Sequence, residues 1–278
     1  GNETGHWESK LILALNDKIL QLIGSSWNDW KTLDQAYLES SSMNQLREEA
    51  LDILEKEYSS SQLFIIKDPR ICRLLPFWLD VLKHFNAKPL IILPIRNPLD
   101  VAASLKARDK IDSSISLLIW LRHILDAEFY SRGLKRTYLR FEDLLVKPQT
   151  IVNRISEVLE INWPKQYSSS INIEIKKFLQ FKLHHHHTND VDVYNNRKLS
   201  QWICLSFEIL NKWSYENIIL TDKDKLDQIR TAFNEATLAF NWSVYGQIPL
   251  TEKNKLEQKI LKYQSQINKT DQLISQTN

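Results

Sequence analysis

Three times in 278 residues a short apolar run gives way to charged or capping residues and then to a helix-forming stretch. That recurrence restricts the fold more than any other feature of the chain. The clearest case is Leu90 to Ile95, a continuous apolar run that reads as a buried strand, with Pro89 at its first residue and Pro94 tolerable only near its end. Asn97 then supplies an N-cap side chain, Pro98 takes the first helical position, and Val101, Ala102 and Leu105 give the helix an apolar stripe. Ser104 falls about two turns into that helix. Arg96 closes the strand beside a helix N-terminus, whose free N–H groups and dipole favour anions. Open α/β sheets place phosphorylated ligands at such an edge.

The other two runs repeat the plan. Leu63 to Ile66 is an apolar strand that ends in Lys67-Asp68-Pro69-Arg70, where the proline forbids its continuation. The third strand, around Thr137 to Arg140, leads into Phe141-Glu142-Asp143, acidic residues that open a helix, with Pro148 in the next turn. Helical spacing marks Leu11 to Leu22, stopped by Gly24, and Asn44 to Tyr58. It continues over Leu75 to Phe85, Pro98 to Ala107 and Ser113 to Leu134. Strands alternating with helices give the βαβ rhythm of a parallel sheet covered by helices, and right-handed crossovers put all strand C-termini on one edge. Lys67, Arg96 and Phe141 converge there. Beyond Pro148 the pattern is helical: Thr150 to Leu159, Ile171 to Phe181, Asn196 to Tyr215 and Lys223 to Phe240. Residues 1–245 thus read as one α/β domain, mainly helical over 150–245, and residues 246–278 as a C-terminal amphipathic helix.

Composition removes several classes. With 43% hydrophobic and 25% charged residues the chain can bury a sizeable core, and a net charge of +2 is too small for a nucleic-acid surface. No apolar stretch approaches the roughly twenty residues of a spanning helix. Cys72 and Cys204 stand far apart without metal-type spacing, which predicts reduced thiols in a cytoplasmic protein. Only five glycines are present, none in a phosphate-cradling loop of the Gly-x-x-x-x-Gly-Lys-Ser kind. That absence weakens a P-loop kinase, which also needs a magnesium-binding carboxylate after a strand.

Arg96-Asn97-Pro98 with Ser104 resembles the 3′-phosphate-binding motif of sulfotransferases that use 3′-phosphoadenosine-5′-phosphosulfate (PAPS). The Lys67 segment, continued by Leu74-Leu75-Pro76, is similar to the strand whose lysine contacts the bridging region of the sulfonate donor. Tyr138-Leu139-Arg140-Phe141-Glu142-Asp143-Leu144 looks like the segment that borders the adenine, with Phe141 where the family usually has tyrosine. Gly5-His6-Trp7-Glu8-Ser9 resembles the segment following the 5′-phosphosulfate loop in bacterial carbohydrate-type members. The resemblance therefore implies a P-loop-like parallel sheet flanked by helices, whose first strand and 5′ loop belong upstream of Gly1. It covers about Gly5 to Leu159, with weaker support to His187.

The resemblance implies metal-independent transfer of a sulfonate from PAPS to a hydroxyl or amine of a carbohydrate or small-molecule acceptor. Lys67 stabilises the leaving group, while Arg96 and Ser104 hold the 3′-phosphate and Phe141 borders the base. Cytosolic members carry a catalytic histidine just after the lysine, where this chain has Asp68, Pro69 and Arg70. The general base is therefore expected elsewhere, and the local order is similar to that of tyrosylprotein sulfotransferases, in which a glutamate soon after the 5′ loop is the base; the resemblance thus implies Glu8, with His6 and Asp68 as alternatives. His184 of the His184–His187 run resembles a histidine near the donor or acceptor. Consecutive histidines point different ways, and no further ligands follow at metal spacing. Glu252 to Ser275, with Leu256, Ile260, Tyr263 and Ile267 in a narrow seam, is a candidate oligomer contact. The competing class is a catalytically inactive sulfotransferase-like interaction protein that lacks the nucleotide loop.

Overall fold

The structure, a computed structural model, describes residues 8–165, 168–179, 188–216 and 218–245. The chain divides into two compact units, Gly1–Thr231 and Ala232–Asn278. In order, the elements are α1 (Lys10–Leu22), α2 (Gln35–Glu39), α3 (Asn44–Tyr58), α4 (Ile71–His84), β1 (Ile91–Ile95), α5 (Pro98–Asp109) and α6 (Ser113–Tyr130). They continue with β2 (Arg136–Arg140), α7 (Phe141–Val146), α8 (Pro148–Leu159), α9 (Ser169–Phe178), α10 (Asp190–Tyr194), α11 (Gln201–Trp213) and α12 (Leu220–Tyr245). The described part of the second unit is helix, the C-terminal stretch of α12. The expected helix at Glu252–Ser275 lies outside the described residues.

The first unit is mostly helical around a two-stranded parallel sheet, so the α/β class holds in that coarse sense. β1 and β2 pair from Ile91 with Arg136 to Ile95 with Arg140. The Ile91 N–H donates toward β2, to the Lys135 carbonyl at 3.0 Å. Alternation then turns Ile92 and Pro94 to the opposite edge, so the donor that proline lacks costs this ladder nothing. Leu139 faces α8, where Ile151, Ile155 and Leu159 form a small core with Leu90 and Ile92 against it. Tyr138 points the other way, and its ring meets Trp213 of α11 edge-on at 5.4 Å. A short parallel pair covered on both faces is what its apolar sequence demands.

The larger core joins α1, α3 and α4. Ile12, Leu15, Ile19 and Leu20 pack with Leu46, Ala50, Ile53 and Leu54, and with Leu74, Phe77, Trp78 and Val81. Ser9 caps α1 by accepting from the Ile12 N–H, and Gly24 takes a φ of +69° just past its end, as a helix-stopping glycine should.

Leu63–Ile66 departs from expectation. Its burial alternates as a strand's does, with Phe64 and Ile66 packed against the core and Leu63 and Ile65 exposed. It joins no ladder among the described residues. A groove of about 930 Å³ is lined by residues of both segments, Leu63, Phe64 and Ile66 together with Leu90 and Ile91 at the start of β1. The period-2 burial came from the helices beneath, and pairing did not follow.

Candidate functional site

β1 and β2 end side by side, at Ile95 and Arg140, so the residues that follow them share one edge. Asn97 caps α5 by accepting from the Leu99 N–H at 3.0 Å, with Pro98 as the first helical residue. That turn carries Arg96 directly before the helix N-terminus, and the Nε1 of Trp120 on α6 donates to the Arg96 carbonyl at 3.2 Å. The guanidinium lies over the Phe141 ring, 4.9 Å from its centroid, a cation–π geometry. Burial pulls the Arg96 pKa below the usual arginine value, against the opposing pull of Asp100 and Glu142. Among the described residues its buried Nε has no hydrogen-bond partner. Two of the expected donor-binding residues, Arg96 and Phe141, are thus brought together.

Ser104 lies on α5, half-buried, on the face it shares with Asp100 one turn earlier. Asp100 itself is buried and accepts the Thr188 N–H at 2.8 Å.

A second pair forms at the other expected position. Lys67 Nζ meets Glu8 Oε1 at 2.5 Å, with the lysine half-exposed and the glutamate largely covered. What makes that contact is the docking of α1 on the Lys67-Asp68-Pro69-Arg70 turn. Arg70 Nε donates to Asp17 at 2.6 Å, while its Nη1 and backbone N–H donate to Asp68 Oδ1 at 3.0 and 2.9 Å. Asn16, fully buried, donates to Asp68 Oδ2 at 3.0 Å and accepts from the Trp78 indole at 2.8 Å. Both oxygens of Asp68 are therefore engaged in holding the turn. His6 and His184 lie outside the described residues.

Sequence reasoning missed a polar hub over the strand ends. Asp190, at the start of α10, pairs with Arg140 Nη2 at 2.7 Å and accepts from Asn97 and Asn211, each at 3.3 Å. Arg140 also approaches Glu142 at 3.3 Å, and Tyr215 donates to Asp143 at 2.7 Å. The Asn189-Asp190 pair carries a helix-start signal, since Asn189 accepts the Val191 N–H. Nothing in the sequence says that this start sits on β1 and β2.

Among the described residues no group of His, Cys, Asp or Glu could hold a metal ion, and no helix is long and apolar enough to cross a membrane. Comparison with protein-family models, with curated proteins and with solved structures finds no match. What the site can do is therefore read from its own residues: a stacked guanidinium at a capped helix N-terminus suits an anion, and a lysine–glutamate pair offers a cation and a proton acceptor in one contact.

Proposed function

We propose that this chain is a PAPS-dependent sulfotransferase on a P-loop-like fold, acting in the cytoplasm on a hydroxyl or amine of a carbohydrate or small-molecule acceptor. The observation that carries the reading is the Arg96 guanidinium stacked on Phe141 at the C-terminal ends of two parallel strands, beside the Asn97-capped start of α5. Arg96 and Ser104 take the 3′-phosphate and Phe141 the base.

In the transfer, the acceptor oxygen or nitrogen forms a bond to sulfur as the bond from sulfur to the 5′-phosphate oxygen breaks. The acceptor's proton passes to Glu8. Negative charge gathers on the leaving phosphate oxygen, where Lys67 stabilises it, and adenosine 3′,5′-bisphosphate departs. Such catalysis works by positioning and electrostatics.

A second reading, an inactive interaction protein on the same fold, is favoured by the open groove beside Leu63–Ile66, whose lining mixes apolar and polar residues. Titration calorimetry with adenosine 3′,5′-bisphosphate decides between them. Binding that needs both phosphates is expected of the enzyme; no heat at millimolar ligand rejects it.

A further inference from the structure

Arg96 and Phe141 arrive at their contact from different strands, and their 4.9 Å stacking depends on how the two strand ends are held. One residue holds both. Asp190 accepts from the side chain of Asn97, one peptide after Arg96, and pairs with Arg140, one peptide before Phe141. Asn211 of α11 donates to its second oxygen at 3.3 Å. The neighbouring backbone is tied down as well, because the Thr188 carbonyl accepts from Asn97 at 3.3 Å and the Thr188 N–H donates to Asp100 at 2.8 Å. Asn97 and Asp100 are each 1% exposed, so their ends of these part-buried bonds are shielded from water, which strengthens them. We propose that Asp190 is a positioning residue, clamping the ends of β1 and β2 so that the Arg96 guanidinium sits on the Phe141 ring in register with a ligand's 3′-phosphate.

This inference rests on the PAPS reading and adds to it a residue from the helical C-terminal part of the first unit. It also explains the fate of Arg140. With its guanidinium drawn to Asp190 and Glu142, Arg140 serves the clamp.

The test reads the 3′-phosphate increment, the ratio of dissociation constants for adenosine 5′-monophosphate and adenosine 3′,5′-bisphosphate, by calorimetry on the whole chain. The ratio is the right quantity because charge released at Arg140 strengthens the binding of both ligands. Asp190→Ala is expected to lower the ratio about tenfold, the scale of one charge-assisted contact. Asp190→Glu should restore part of it, and Asp192→Ala, exposed on the same short helix, should leave it unchanged. Should the alanine variant fail to fold, the isosteric Asp190→Asn is read the same way. A ratio unchanged in a folded Asp190 variant overturns the positioning role and leaves the sulfotransferase reading standing. A wild-type protein with no increment at all overturns both.

Discussion

At the scale of single residues, Arg96 answers to two demands at once. Its guanidinium must stay charged although burial disfavours the charged form, and it must lie flat on Phe141. Lysine meets only the first demand, since an ammonium is a point charge with no planar face or fork. Charge-assisted contacts of this kind are worth about 1.5–3 kcal/mol. Arg96→Lys is therefore expected to weaken adenosine 3′,5′-bisphosphate binding by about one to two decades in calorimetry; an unaltered affinity removes the phosphate role. Glu8 carries a different burden. Glu8→Gln keeps the shape and its reach toward Lys67 but cannot take a proton. Sulfonate transfer should vanish while bisphosphate binding survives. A glutamine variant with full turnover would reduce Glu8 to an acidic residue that favours the start of α1 through the helix dipole.

At the scale of elements, the contact between Glu8 and Lys67 depends on how α1 seats on α4 and on the turn between Lys67 and Arg70. Asn16 is the pin: it joins Asp68 to Trp78 from a fully buried position. Asn16→Leu fills similar space but leaves the Trp78 indole and one Asp68 oxygen without that partner. Each such orphan costs about 1–3 kcal/mol. Urea unfolding should show a loss of about 2–4 kcal/mol, and a loss below about 1 kcal/mol would mean that water or a shifted side chain replaces the amide. The same elements show what a sequence can and cannot reveal. The β1–α5 junction was legible because strand, cap, proline and helix stripe are all local signals; the strand forms as Ile91–Ile95, starting after Leu90, Asn97 caps the helix, and the helix runs Pro98–Asp109, past the expected Ala107. The start of α4 was not: the expected helix opened at Leu75, whereas it begins at Ile71 and carries Pro76 inside. Leu63–Ile66 misled in the opposite sense. Its alternation reports burial on one side, and no local signal says whether a neighbouring strand lies close enough to pair. Asp190 was beyond reach for a related reason, since its partners Asn97 and Arg140 are distant in sequence and meet it only through the fold.

At the scale of the whole molecule, α4, α6 and α12 are joined through a buried cluster with a surplus of cations. Asp126 on α6 is flanked by Arg73 at 3.6 Å, Arg122 at 3.5 Å and Arg230 at 3.6 Å. Arg122 donates to the Trp30 carbonyl at 2.8 Å, and Arg73 to the carbonyls of Asp29, at 2.6 Å, and Lys31. The loop after α1 is thereby fixed to the helical core. His123 sits beside this cluster with its Nδ1 2.8 Å from the Ile119 carbonyl. Burial first, then Arg73, Arg122 and Arg70, push its pKa down to about 4 from the ordinary 6.5. The folded protein thus binds this proton less readily than the unfolded chain, so stability present above pH 6.5 is lost as pH falls toward 4. On the order of 3 kcal/mol is at stake once the ring is fully charged, at 1.36 kcal/mol per unit. Asp126 works against it: burial raises its pKa, so its protonation on acidification relieves a cost and adds stability. The wild-type curve alone therefore mixes two opposed terms. His123→Gln, which keeps a side chain able to hydrogen-bond but cannot gain the charge, isolates the histidine. Urea unfolding of both proteins between pH 7 and pH 4.5 should show the variant gaining on the wild type steadily as pH drops. Curves that stay parallel over that window would place the imidazole in water and out of reach of the arginines.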